Sequence, residues 1–364
     1  MIKQIVKTLD GNEAAADVAY NFTEVATIYP ITPSSPMAEH VDVWSANGRK
    51  NLFGQPVKLV EMQSEAGAIG AVHGASETGS LCSSFTASQG LMLMIPVMHR
   101  LSGELKPVVL HIAARTVGTH TMSIFGDHSD VMGCRNTGWA MLCSASVQEC
   151  ADLAAVAHLS TIKGRVPFMH FFDGFRTSHE IQKIKMLPAE ELGKLIDRDA
   201  LYHFKHTGLN PEHPVMRSTV TNPDMFFQSR EANNPWYQRL PYIVQDYMDQ
   251  ISELTGRPYH LFDYYGAPDA EHVVIAMGSV TGAIQETIDK LCKEGKKVGF
   301  IQVHLYRPFS LEHFMKAMPD TVRTITVMDR TKEPGALGEP LYEDVCAAIS
   351  HVKQDVTVLA CRYG

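Results

Sequence analysis

The sequence predicts an α/β protein: a doubly wound parallel sheet followed by a second, smaller α/β domain. Between residues 11 and 174, short β-rich runs alternate with amphipathic stretches rich in Ala, Gly and Leu, the pattern of a sheet covered by helices on both faces. Most of the β-rich runs are continuous apolar segments, which suits strands buried on both sides. The alternation lapses from residue 176 to about 268 and resumes from 271 onward.

In chain order, the strands of the first domain are expected at 25–29, 57–62, 81–86, 108–113, 140–145 and 167–172, and its clearest helices at 13–24, 65–77, 91–102 and 147–162. Ser146 and Glu149 form a capping-box pair for the last helix, each satisfying an amide that the first turn leaves open. The stretch from 176 to 268 turns polar, aromatic and proline-rich, with His213-Pro214, Asn222-Pro223 and Asn234-Pro235-Trp236. It reads as a connecting segment wrapped over the surface, with a helix at 242–255. A linker of that length docks on something, because long structureless loops are uncommon in compact proteins. The second domain follows with strands at 272–277, 297–305, 322–328 and 356–360 and helices at 281–294, 311–318 and 341–352. The chain therefore divides into 1–240, with the connecting segment trailing, and 241–364. It stops directly after a strand, where a further loop and helix are expected, so it reads as a fragment or one subunit of a divided enzyme.

Composition narrows the function classes. With 364 residues and 45% hydrophobic content, the chain is long enough for two domains and a large core,. A net charge of −8 offers no basic stripe for nucleic acid,. Residues 1–7 contain no long apolar core, so no signal peptide is expected,, and no stretch reaches the roughly 20 apolar residues that span a bilayer. The seven cysteines lie scattered in apolar surroundings without C-x-x-C spacing, which fits buried thiols in a reducing cytoplasm. The seventeen histidines show no H-E-x-x-H spacing, so no metal site built by the protein is expected.

Candidate chemistry gathers where strands meet helices, the edge at which open α/β sheets keep their sites. The loop Tyr29-Pro30-Ile31-Thr32-Pro33-Ser34-Ser35-Pro36 interleaves prolines with hydroxyls, which stiffens the backbone and presents Thr32, Ser34 and Ser35. The run Glu61-Met62-Gln63-Ser64-Glu65 delivers Glu65 to the first turn of a small-residue helix. The helix dipole favours a carboxylate there by roughly 0.3–1 kcal/mol when exposed, whether or not the group has a chemical role. Arg115 follows a buried strand and can form a bidentate pair with a carboxylate or phosphate,, or be an ordinary surface arginine. Thr86-Ala87-Ser88-Gln89-Gly90 ends another strand, with Ser88 or Thr86 as a plausible cap,. The loop Ser123 to Asp130 holds His128 and Ser129, but sequence neighbours rarely point at each other, which disfavours a hydrolytic pair. Gly278-Ser279-Val280-Thr281-Gly282 lacks the lysine of a P-loop and the full G-x-G-x-x-G spacing, and Gly335 to Gly338 reads as a turn,.

Taken together, Gly11 to Ala16, Tyr29 to Pro36, Glu61 to Gly70, Ser88 to Leu91, Ser123 to Asp130 and His170 to Glu180 closely resemble the N-terminal part of the pyruvate:ferredoxin (flavodoxin) oxidoreductases, thiamine diphosphate enzymes of anaerobic metabolism. The resemblance implies that the first domain is the pyrimidine-type, thiamine-diphosphate-binding domain and the second a transketolase C-terminal-like domain. It implies that Glu65 hydrogen-bonds the aminopyrimidine, that Pro30 and Ile31 lie beside the cofactor, and that Thr32 and Arg115 hold the substrate carboxylate. The implied reaction is attack of the thiazolium ylide on the pyruvate ketone, loss of CO2, one-electron oxidation through iron–sulfur clusters, and capture of the acetyl group by coenzyme A, with ferredoxin or flavodoxin as acceptor.

Neither the G-D-G…N motif for diphosphate and Mg2+ nor cysteine-rich cluster runs are found in these residues. The resemblance places both in later domains, so the chain holds half a cofactor site, is inactive alone, and belongs to a larger enzyme that forms a homodimer. Related enzymes acting on 2-oxoglutarate or other oxoacids, and a non-catalytic assembly module of the same fold, remain the alternative readings.

Overall fold

The computed structural model describes residues 2–217, 219–352 and 355–364. The chain opens with β1 (Ile5–Leu9) and α1 (Gly11–Phe22), where the Asp10 carboxylate caps the helix by accepting from the Glu13 amide at 2.8 Å. Then come β2 (Val25–Ile28), α2 (Ser35–Ala46), β3 (Lys58–Glu61), α3 (Glu65–Glu77), β4 (Cys82–Thr86), α4 (Ser88–Gly103), β5 (Val108–Ala114), α5 (Ser129–Gly133), β6 (Ala140–Ser144), α6 (Val147–Gly164) and β7 (Phe168–Asp173). The middle of the chain holds β8 (Gln182–Met186), α7 (Ala189–Lys194), α8 (Arg198–His206), α9 (Pro223–Glu231), α10 (Asn234–Thr255) and β9 (Phe262–Gly266). The remainder is β10 (His272–Ala276), α11 (Val280–Lys293), β11 (Val298–Val303), β12 (Leu305–Arg307), α12 (Leu311–Ala317), β13 (Thr324–Asp329), α13 (Pro340–Ser350) and β14 (Thr357–Arg362).

The first sheet has the order β12-β6-β7-β5-β4-β2-β3, parallel except for β12. Strands β4 to β7 are buried at every residue, as expected of central strands covered on both faces. Helices α1, α2, α6 and α10 pack as one group and α3, α4 and α5 as another. The second sheet, β14-β13-β10-β11-β9, is parallel except for β9. The expected doubly wound sheet and smaller α/β unit are both present.

Several details differ from expectation. Helix α2 follows the proline loop directly, with Pro36 in its first turn, where the fixed φ and missing N–H cost nothing. Strand β1 pairs antiparallel with β8 in a separate two-stranded sheet, a long-range pairing without a local signal. Among its described residues, the segment from 176 to 268 is mostly regular structure, with two strands and four helices. Its helix begins at Asn234, eight residues before the expected start, because Pro235 occupies the first turn and Pro241 is carried within the helix. Leu240, Val244, Tyr247, Met248 and Ile251 of α10 are buried, and α10 packs on α6. Residues 240 and 241 thus lie inside one helix that rests on the first domain. The single strand expected at 297–305 is two, because the chain leaves the second sheet at His304 and β12 joins the edge of the first beside β6.

The core of the first domain also holds an unbroken imidazole chain. His111 on β5 meets His170 on β7 at 2.9 Å between Nδ1 atoms and His158 on α6 at 3.0 Å between Nε2 atoms. Ser144 Oγ closes the far end on His170 Nε2 at 2.8 Å. Each nitrogen–nitrogen contact needs one donor and one acceptor, so no two touching rings are both charged,. Burial pushes His111 down to about 3 and His158 and His170 well below the usual imidazole value,.

Candidate active site

Four loops converge where β2, β3, β4 and β5 end. The loop after β2 is pinned from below. Asn12 Nδ2 donates to the Pro33 carbonyl at 2.9 Å, the Ser34 hydroxyl donates to the Thr86 carbonyl at 2.5 Å, and Ser34 Oγ accepts from the Ala113 amide at 3.2 Å. Ser34 is buried and ties this loop to β4 and β5, while Tyr29, Pro30 and Thr32 remain exposed and Ile31 half-buried. The hydroxyls expected to be presented together are therefore divided: Ser34 builds the scaffold and Thr32 faces outward.

Glu65 is the first residue of α3. Ser64 caps that helix by accepting from the Gly67 amide at 3.1 Å, so Glu65 enters the first turn as the sequence predicts. Its residue is only 6% exposed, yet among the described residues its carboxylate has no hydrogen-bond or ion-pair partner. Buried carboxylates are ordinarily paired or hydrogen-bonded. The exception is made possible by Gly90 on α4, where a β-carbon would stand 2.5 Å from Glu65 Oε1.

Arg115 is buried at the end of β5. Its Nη1 donates to the Thr32 carbonyl at 2.8 Å and its Nη2 to Gln89 Oε1 at 2.9 Å, while Nε is buried without a partner. Thr32 meets Arg115 through its backbone, and its hydroxyl has no hydrogen bond within the chain among the described residues. Burial lowers the Arg115 proton affinity, and the carboxylates of Asp130 and Glu65 oppose that. Arg115 is thus no ordinary surface arginine.

Asp130 was not singled out by sequence, yet it builds the floor. It is fully buried, and its Oδ2 accepts from the amides of Ser88 at 2.8 Å and Arg115 at 3.0 Å, its Oδ1 from Val131 at 2.7 Å. Burial pushes its carboxyl up to about 7 against the pull of those three amides. Ser88 opens α4 at φ 51°, and neither it nor Thr86 caps the helix through its side chain. Asp130 takes over the Ser88 amide instead, a tertiary contact across 42 residues of sequence.

The structure separates the other candidates from this site. His128 Nε2 lies 2.6 Å from Asp173, while the Ser129 hydroxyl donates to Asp127 at 2.7 Å, so the two form no nucleophilic pair. Asp173 at the end of β7 is fully buried and also takes Arg330 Nη1 at 2.7 Å, the Ser279 amide at 2.8 Å and the Ser279 hydroxyl at 2.5 Å. The Gly278–Gly282 turn therefore binds a carboxylate of the first domain and clasps the two units together. His73, Glu77 and Glu104 could in principle converge on a metal ion, but Lys106 Nζ at 2.7 Å and Arg217 already supply Glu77 with positive charge. All seven cysteines are free thiols. No helix among the described residues is long and apolar enough to cross a membrane.

Residues 17–249 match the family model for pyruvate flavodoxin/ferredoxin oxidoreductase, thiamine diphosphate-binding, and residues 270–364 that for pyruvate:ferredoxin oxidoreductase core domain II. The chain is 61% identical over 98% of its length to pyruvate:ferredoxin oxidoreductase of Moorella thermoacetica and 60% identical over 99% to pyruvate-flavodoxin oxidoreductase of Klebsiella pneumoniae. It spans 31% of each of those proteins, about a third. Among solved structures, a 2-oxoglutarate:ferredoxin oxidoreductase from Magnetococcus marinus shares the fold with a TM-score of 0.67 at 18% identity, over 99% of this chain and 62% of that one. A split-gene transketolase shares it with a TM-score of 0.56 at 10% identity, over 97% of this chain and 87% of that one.

Proposed function

Because the chain belongs to the pyruvate flavodoxin/ferredoxin oxidoreductase family, we propose that it supplies the aminopyrimidine and substrate-carboxylate half of a thiamine diphosphate site for oxidative decarboxylation of pyruvate to acetyl-CoA and CO2. The observation that carries this is Glu65, a buried carboxylate without a hydrogen-bond or ion-pair partner among the described residues, at the sheet edge. An acceptor without a protein donor is fitted to a ligand donor, since a protein donor there would compete with it.

Thiamine diphosphate, when bound, supplies the carbon nucleophile and electron sink for cleaving a 2-oxo acid. Glu65 holds the aminopyrimidine by accepting its proton or hydrogen bond, with Pro30 and Ile31 as the wall beside it. Arg115 attracts the pyruvate carboxylate, and the Thr32 hydroxyl, free of any bond within the chain among the described residues, donates to it,. The stiff proline loop keeps Thr32 in register with Arg115, so the substrate is oriented with little entropy left to lose.

The diphosphate and Mg2+ half-site, the iron–sulfur clusters and the coenzyme A contacts belong to the rest of the enzyme, a cytoplasmic homodimer that passes electrons to ferredoxin or flavodoxin. The test is reduction of a viologen dye by the full-length protein, with pyruvate, coenzyme A and thiamine diphosphate omitted in turn. Dependence on each is expected, and reduction that persists without pyruvate or without thiamine diphosphate overturns the reading.

A further inference from the structure

We infer that Gln89 is a positioning residue for substrate binding, which sets the direction of the Arg115 guanidinium and links it to the loop after β5. The inference rests on the reading of Arg115 as the anchor of the substrate carboxylate.

Arginine has five N–H donors and no acceptor. In Arg115 two donors are fixed, one by the Thr32 carbonyl at 2.8 Å and one by Gln89 Oε1 at 2.9 Å. Both acceptors are neutral, so they aim the guanidinium without cancelling its charge. The Thr32 carbonyl belongs to a loop already pinned through Pro33 and Ser34, which leaves Gln89 as the one side chain among the described residues that orients the fork. The orientation of the amide is dictated by Arg115, whose guanidinium has only donors, so Oε1 faces it,.

The other end of the amide meets the loop after β5. A β-carbon at Gly118 would stand 2.4 Å from Gln89 Nε2, so a side chain there would push the amide out of its present position. The Ser88 hydroxyl donates to the Thr116 carbonyl at 2.5 Å, and the Val117 amide donates to Ser129 Oγ at 2.9 Å. Gln89 is thereby held between the cation and a loop whose backbone is anchored on both sides. A shift of that loop moves the amide, and with it the guanidinium.

The experiment compares Gln89→Leu, Gln89→Glu and Gly118→Ala with Arg115→Ala in the full-length enzyme. It reads KM and kcat for pyruvate, the dissociation constant of oxamate as a non-reacting carboxylate, and the affinity for thiamine diphosphate. In Gln89→Leu both the pyruvate KM and the oxamate constant are expected to rise about ten- to hundredfold, as for loss of one hydrogen bond to a charged group. The kcat stays within about threefold, because the bond orients substrate rather than the transition state alone. Gln89→Glu raises KM further, since a carboxylate paired bidentately with Arg115 repels the substrate's own. Gly118→Ala moves KM and the oxamate constant in the same direction, with thiamine diphosphate affinity unchanged throughout. If Gln89→Leu and Gly118→Ala leave both constants within about twofold while Arg115→Ala raises them, Gln89 loses its role and Arg115 keeps its own. If Arg115→Ala also leaves them unchanged, the site reading itself fails. A fall in kcat at constant KM in Gln89→Leu overturns substrate positioning.

Discussion

Gly90 and Glu65 face each other across the α3–α4 contact, so close that a β-carbon at position 90 would lie 2.5 Å from Glu65 Oε1 and 2.8 Å from its Cδ. The small residue of one helix makes the space in which the carboxylate of the other is buried. Gly90→Ala is therefore expected to displace Glu65 while keeping the helix, because alanine is the better helix former. Turnover should fall at least about tenfold with weaker thiamine diphosphate binding. Wild-type values for both would show that the carboxylate tolerates the shift and that its placement is not critical.

Replacing Glu65 with glutamine retains the shape and removes the charge. Because the side chain has no hydrogen-bond or ion-pair partner among the described residues, no protein contact is broken, and the thermal midpoint should stay within about 3 °C. Turnover of the full-length enzyme should fall roughly 100- to 10,000-fold, the range for loss of a general acid–base group. Near-wild-type turnover would remove Glu65 from the chemistry.

Arg115→Lys separates charge from geometry. A lysine retains a point cation but lacks the planar fork that meets the Thr32 carbonyl and Gln89 together,. The pyruvate KM should rise by about tenfold or more, with thiamine diphosphate affinity preserved. Steady-state kinetics with pyruvate as the varied substrate decides this, and an unchanged KM would refute the carboxylate assignment.

Asp173 joins the two domains through Arg330 and Ser279, with His128 of its own domain as a further partner. Burial works against its charge, but the neighbouring His128, Arg330 and Ser279 hydroxyl hold its carboxyl well below the usual range. Removing one partner of such a buried pair strands the other, at roughly 3–5 kcal/mol. Asp173→Ala should therefore split denaturant unfolding into two transitions, the second domain melting first. A single transition at the wild-type midpoint would show that the clasp is dispensable.

The imidazole chain makes stability depend on pH. His111, His158 and His170 have folded-state proton affinities below the unfolded value of roughly 6.5,. The unfolded chain therefore binds more protons below that pH, so the stabilisation is complete above it and is lost as pH falls from about 6.5 toward about 3,. Each ring contributes a slope of at most about 1.4 kcal/mol per pH unit. Denaturation midpoints of wild type and His158→Phe should diverge least near pH 5 and most near pH 7.5. Parallel curves would show that the chain does not titrate on unfolding.

Most strands of the two large sheets and the first-turn position of Glu65 were legible because they rest on short-range signals. Apolar runs mark the buried strands, and a serine before a small-residue helix marks its start,. The proline loop announced a stiff segment but not helix α2, since Pro36 reads equally as a turn residue or a first-turn helix residue. The region from 176 to 268 misled because its prolines sit at helix starts and within α10, where local chemistry resembles that of loops.

By itself the sequence determined the α/β alternation, the family resemblance and the residue types at the strand ends, all carried by neighbours a few positions apart. Tertiary structure alone decided that Thr32 meets Arg115 through its carbonyl, that Asp130 ties Ser88 to Arg115, and that Gly90 makes room for the Glu65 carboxylate. Those contacts join residues 15 to 83 positions apart, and such pairings follow from how strands and helices stack, which no local pattern encodes.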